Sequence, residues 1–131
     1  MRERDFWALI KRTTPAHMER IETKIAGVPD IVYIKPDGGQ GFLELKRLEK
    51  WPVRQFTTSQ LGLSPQQALF LHKWRSKGGQ AHLLVSVAEE FLLYDGLVCL
   101  DLLQHGTTRE AGIPTSWRGI HLEWKEIFKV I

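Results

Sequence analysis

The sequence predicts an α/β domain, with a central mixed β-sheet flanked by α-helices. Two apolar, β-branched runs, Ile31-Val32-Tyr33-Ile34 and Gly41-Phe42-Leu43-Glu44-Leu45-Lys46, enclose the turn-forming Pro36-Asp37-Gly38-Gly39 and read as a β-hairpin. A third run, Ala81 to Val87, follows a helix pattern that begins at Ser64-Pro65 and ends at Gly78-Gly79. Runs as continuously apolar as Ile31 to Ile34 suit strands covered on both faces, and the helices over 3–13 and 64–77 supply the cover.

Taken in order, residues 3–13 form an amphipathic helix with acidic side chains in the first turn. Residues 17–24 fit either helix or strand, and their run into the Gly27 turn favours a short edge strand. Asp30 opens the strand over 31–35, and 41–47 forms the next. The long connection over 47–63 is of a kind that is usually functional or disordered. Ser64 is a helix N-cap, Pro65 takes the first helical position and Gln67 stands three residues after the cap. Gln67 shares a stripe with Leu71 and Trp74, read as facing the core. Strands follow over 81–87 and 91–95, then a short helix over 97–104, an irregular segment over 105–119 and a terminal amphipathic helix over 121–130.

A length of 131 residues suits one domain, residues 1–131, with one core. With 43% hydrophobic and 25% charged residues, the composition is that of an ordinary soluble globular protein. No apolar run approaches a membrane span and the N-terminus lacks a signal-peptide core, so the expected location is the cytoplasm. The single cysteine, Cys99, excludes an internal disulfide and a cysteine zinc cluster, and its apolar neighbours mark it as a core thiol. The five histidines show no metal-ligand spacing. Residues 1–82 hold 14 Lys and Arg against 8 Asp and Glu, whereas residues 83–131 hold 4 against 7. The basic excess lies in the half with the hairpin, where it would draw in a polyanion.

Strand periodicity puts Glu44 and Lys46 on one face and Leu43 and Leu45 on the other. Burying a carboxylate and an ammonium on so apolar a strand is costly unless they serve a metal, a partner charge or a substrate. Asp30, Glu44 and Lys46 are therefore the candidate active site.

Pro29-Asp30 followed by Glu44-Leu45-Lys46 resembles the PD-(D/E)xK nuclease superfamily. Gly27-Val28-Pro29-Asp30 with Leu43-Glu44-Leu45-Lys46 is similar to its virus-type replication-repair nuclease (VRR-NUC) branch. The helix from Ser64 with Gln67 near its start, the Gly78-Gly79 stop and the strand to Val87 continue the pattern, so the resemblance spans about residues 20 to 87. It implies a restriction-endonuclease-like core and a Mg²⁺- or Mn²⁺-dependent DNA endonuclease acting on duplex or branched DNA. The implied settings are DNA repair, recombination or phage DNA processing.

Carboxylates at strand ends are hard oxygen ligands suited to those cations. Asp30 and Glu44 would hold the metal, with the Leu45 carbonyl a further ligand by family analogy. Lys46 would orient or deprotonate the attacking water and stabilise developing charge. The resemblance makes Gln67 an active-site residue, while its spacing from Ser64 makes it half of a capping box. It also implies a third acid, for which Glu22 is favoured over Glu19 and Glu3. Arg20, Arg47, Lys50 and Arg54 are the candidate DNA contacts. Trp51 and Phe56 serve either to stack an unpaired base or to pin the connection to the core. Trp117 and Trp124 read as core or interface anchors. Small nucleases of this branch often dimerise, so a homodimer is expected from the resemblance alone. Two other classes stay open: a catalytically silent DNA-binding module of the same fold, and a protein-interaction domain with a fortuitous motif.

Overall fold

The computed structural model describes residues 2–52, 58–107 and 112–131. Helix α1 (Glu3–Thr13) has acids in its first turn and Lys11 and Arg12 in its last, which complements the helix dipole. Phe6 and Ile10, one turn apart, are fully buried and dock it on the sheet. Next come β1 (His17–Arg20), β2 (Ile31–Ile34) and β3 (Gln40–Leu48). The one-turn α2 (Thr58–Leu61) and α3 (Pro65–Ser76) lead to β4 (Ala81–Val87) and β5 (Glu90–Asp95). A 3-10 turn (Gly96–Val98) runs into α4 (Cys99–His105), and β6 (Trp117–Gly119) and α5 (Trp124–Ile127) complete the order.

Among the described residues the six strands form one mixed sheet in the order β1-β2-β3-β4-β5-β6. Only β3 and β4 pair in parallel, and the crossover that such pairing requires carries α2 and α3. One face packs Phe6 and Ile10 of α1 and Trp124 and Ile127 of α5 on Ile31, Tyr33, Leu43, Leu45 and Leu84. The other packs Leu63, Ala68, Leu71 and Leu102 on Leu83, Val85 and Leu92. All seven residues of β4 are buried, as a strand covered on both faces must be.

The α/β architecture expected from the sequence is thus present, with β2, β3, β4, α1 and α3 in the expected places. Four expectations change. The edge strand β1 stops at Arg20 rather than at 24, because only His17 to Arg20 pair with β2. The connection after β3 is shorter than expected, since β3 runs to Leu48 and α2 begins at Thr58. The irregular segment contains β6, whose three residues pair with Phe91, Leu92 and Leu93. The terminal helix is a single turn, held by burial of Trp124 and Ile127.

Candidate active site

The backbone of β3 sets the geometry of the site. The Phe42 N–H donates to the Gln80 carbonyl and the Ala88 N–H to the Leu48 carbonyl, so even-numbered residues turn their backbone groups towards β4. Odd-numbered residues turn theirs towards β2, where Gly41 opposes Tyr33 and Leu43 opposes Ile31. Continued one step, this register sets Leu45 against Pro29, which has no N–H to donate. The ladder ends there. The Leu45 amide donates instead to Asp30 Oδ2 at 3.4 Å, and its carbonyl, on the same side, faces a position with no donor.

The side chains converge from three elements. Glu44 lies on the face packed by α3 and is fully buried. Its Oε2 accepts the Asp30 backbone N–H at 2.9 Å, and its Oε1 accepts the Gln67 amide Nε2 at 2.9 Å. Lys46, two residues along the strand, holds its Nζ 3.4 Å from Oε1. The capping box of α3 is formed as well, since the Ser64 N–H donates to Gln67 Oε1 at 2.9 Å and the Gln67 N–H to Ser64 Oγ at 3.1 Å. The two geometries read for Gln67 therefore coexist, the oxygen capping the helix and the nitrogen gripping Glu44.

Burial, and next the negative charge of Asp30, push the Glu44 carboxyl up to about 7 against the opposing pull of Lys46. Desolvation wins over the ammonium. Two neighbouring carboxylates, one of them paired with an ammonium, beside a carbonyl with no backbone donor, form an oxygen-only set. That is the hard donor chemistry of Mg²⁺ or Mn²⁺ rather than of zinc. Among the described residues no three His, Cys, Asp or Glu converge to hold a metal, so any cation here would rest on Asp30, Glu44, the Leu45 carbonyl and water.

The three candidate third acids stand apart from this set. Glu22 is exposed and lies beyond the end of β1, so strand parity does not orient it as expected, although the preceding Ile21 donates its N–H to the Asp30 carbonyl at 2.6 Å. Glu19 opposes Val32, on the face of Glu44, but pairs with His17 at 3.0 Å. Glu3 is exposed on α1. No hydrogen bond or ion pair joins any of them to Asp30 or Glu44 among the described residues.

Among the candidate DNA contacts, Arg20 opposes Ile31 and so shares the α1 face, away from Glu44. Arg47 is half-buried on that same face, and its Nε is buried without a hydrogen-bond partner. Lys50 is exposed just past β3. Arg54 and Phe56 lie outside the described residues. Trp51 donates its indole N–H to Glu90 at 2.6 Å and lies under the Arg118 guanidinium, so its ring is pinned to β5 and β6. Trp124 is a core anchor that donates to Thr13 Oγ1 at 2.8 Å, and Trp117 packs against the same cluster. Cys99 is a buried thiol, pushed up to about 12 by desolvation, as a core residue should be. The sequence reading missed Pro29 as the residue that ends the ladder, although the missing N–H of proline was a signal available from the start.

No family model matches the chain, and no curated protein matches it. Among solved structures it is similar to the Holliday junction resolvase Hjc of Archaeoglobus fulgidus, with a TM-score of 0.44 and 17% identity over 71% of this chain and 74% of that one. A likeness at that level says nothing about the chemistry of the present chain.

Proposed function

We propose that this protein is a Mg²⁺- or Mn²⁺-dependent DNA endonuclease of the PD-(D/E)xK type, similar to the VRR-NUC branch. One observation carries the reading: Asp30, Glu44, Lys46 and Gln67, separated in sequence, are joined through Glu44 into one cluster by two hydrogen bonds and an ion pair, beside a ladder interrupted at Pro29. Asp30, Glu44 and the Leu45 carbonyl would hold the cation. When bound, a divalent cation offsets charge on the phosphate and makes an attacking water more acidic. Lys46 places an ammonium where negative charge develops on the phosphoryl oxygens, and its neighbour Glu44 keeps it there. Gln67 fixes the rotamer of Glu44, so the carboxylate is preorganised before substrate arrives. Glu22 is the favoured third acid because it follows the residue bonded to Asp30.

Purified protein should cleave linear, nicked, flapped or branched DNA with Mn²⁺ and lose that activity in EDTA. Glu22→Gln should suppress cleavage more than Glu19→Gln or Glu3→Gln. DNA bound but left intact under every metal condition would replace the endonuclease by a silent DNA-binding module.

A further inference from the structure

The face that carries Glu44 continues away from the carboxylates as a cleft. Val32 and Phe42 oppose each other one repeat below Asp30 and Glu44 on the same face, and Ile34 and Gln40 follow them. Helix α3 runs above β3 in the opposite sense, with Gln67 on Glu44 and the Trp74 ring edge-on to Phe42 at 5.0 Å. Between them opens a cleft of about 200 Å³ lined by Val32, Gln40, Phe42, Trp74, Gly79 and Gln80.

Three features show that the cleft is built rather than left over. Trp74 is 45% exposed, although the sequence stripe had assigned it to the core, and it stacks in parallel on Phe70 with 7° between the rings. A Cβ on Gly79 would collide with the Trp74 ring, so only glycine fits beside the indole there. Lys73 and Lys77 are exposed in and just after the last turn of α3, and neither has an acidic partner among the described residues.

We propose that this cleft takes a nucleobase, unstacked from a DNA strand whose phosphate lies at Asp30 and Glu44. The inference rests on the nuclease reading and narrows its substrate to DNA with unpaired nucleotides beside the scissile bond. An exposed indole in a cleft lined by Phe42 and Gln40, with lysines on its flank, suits a stacked base on a phosphate backbone. Spacing agrees. From Glu44 to Phe42 is about 7 Å along a strand, and from Gln67 to Trp74 about 10 Å along a helix, two to three base steps of about 3.4 Å each. A paired duplex would have to be opened to fill the cleft, which disfavours it relative to flaps, frayed ends and single strands.

The test is fluorescence anisotropy in EDTA, so that no cleavage occurs, with a short labelled oligothymidylate and a closed blunt hairpin duplex as probes. Trp74→Leu should weaken oligothymidylate binding roughly tenfold, Trp74→Phe by less, and neither should alter duplex binding. The salt dependence should be unchanged by Trp74→Leu but reduced by about one to two charges in Lys73→Gln with Lys77→Gln. Val32→Phe, which fills the cleft from β2 and leaves Trp74 in place, should reproduce the selective loss if Trp74→Leu is poorly folded. Unchanged single-strand affinity in both Trp74→Leu and Val32→Phe, or an equal loss on both probes, would overturn the base site while leaving the nuclease reading intact. Wild-type protein that binds neither probe would likewise overturn the base site, whereas the nuclease reading falls only if cleavage with Mn²⁺ also fails.

Discussion

Glu44→Gln should make the metal-free protein more stable at neutral pH, although it removes a residue at the centre of the site. Burial and the Asp30 charge raise the Glu44 carboxyl from 4.5 to about 7. A carboxyl raised on folding contributes stability that is fully present below its unfolded value and is lost as pH rises through the folded one. At 1.36 kcal/mol per unit, the loss above that window is about 3 kcal/mol. Glutamine never ionises, and although its single oxygen can accept from only one of the Asp30 N–H and the Gln67 amide, that loss is the same at every pH. In EDTA the variant should match wild type within about 1 kcal/mol near pH 4 and exceed it by up to about 3 kcal/mol near pH 8. Lys46, largely buried and left without its partner, trims this gain.

Wild-type protein alone would hide the effect. His82 is fully buried, with neither ring nitrogen hydrogen-bonded among the described residues and Nε2 3.9 Å from Asp95, and burial lowers it from 6.5 to about 4 against the pull of Asp95. Its contribution has the opposite sign, present above the unfolded value and lost as pH falls through the folded one, again about 3 kcal/mol. Over the acid to neutral range the two slopes oppose each other, so the wild-type profile understates both. Glu44→Gln removes one slope, so its stability should fall on acidification. His82→Leu removes the other, so its stability should fall on alkalisation. Urea unfolding of the three proteins in EDTA across this range is the assay. A constant offset between wild type and Glu44→Gln at every pH would refute the claim that Glu44 is ionised at a cost.

Three further outcomes follow from the same geometry. Asp30→Asn should weaken Mn²⁺ binding in titration calorimetry and abolish cleavage, whereas Lys46→Ala should leave Mn²⁺ binding largely intact and still suppress cleavage. Gln67→Ala should lose both half of the capping box and the grip on Glu44, costing about 1–2 kcal/mol in chemical unfolding and lowering kcat more than DNA affinity. Pro29→Ala should restore an N–H opposite Leu45, extend the β2–β3 ladder, slow amide exchange there and weaken Mn²⁺ binding in calorimetry.

How much of this was legible in the sequence depended on how local the cause was. The β2–β3 hairpin followed from Pro36-Asp37-Gly38-Gly39, and α3 from Ser64, Pro65 and the Gly78 stop, because turns and caps are written in adjacent residues. Gln67 was placed correctly at the mouth of α3, but its bond to Glu44 crosses 23 positions and no local pattern encodes that. Trp74 was misplaced because a helical stripe gives a direction only relative to its neighbours. The buried residues of α3 are Ala68 and Leu71, and Trp74 turns towards the cleft. The strand β6 was invisible because three residues beside an existing edge need no period of their own. Parity could not settle Glu22, since parity has meaning only inside a strand and β1 ends two residues earlier.

These failures of local reading collect where the fold concedes stability. Pro29 gives up a ladder bond, Glu44 is buried at a free-energy cost, and Gln67 is committed to two partners at once. A sequence selected for stability alone would extend the β2–β3 ladder and place an apolar side chain at position 44, as it does at 43 and 45. Each concession instead leaves oxygen atoms and negative charge at one point beside an ammonium, open to a strand end with no backbone donor. A hard cation there would reverse the sign of the largest of these costs, because the ionised Glu44 that destabilises the metal-free fold is the form a cation binds. Metal and proton should therefore compete for Glu44: Mn²⁺ should raise the unfolding midpoint more near pH 8 than near pH 5, and Glu44→Gln should abolish that difference.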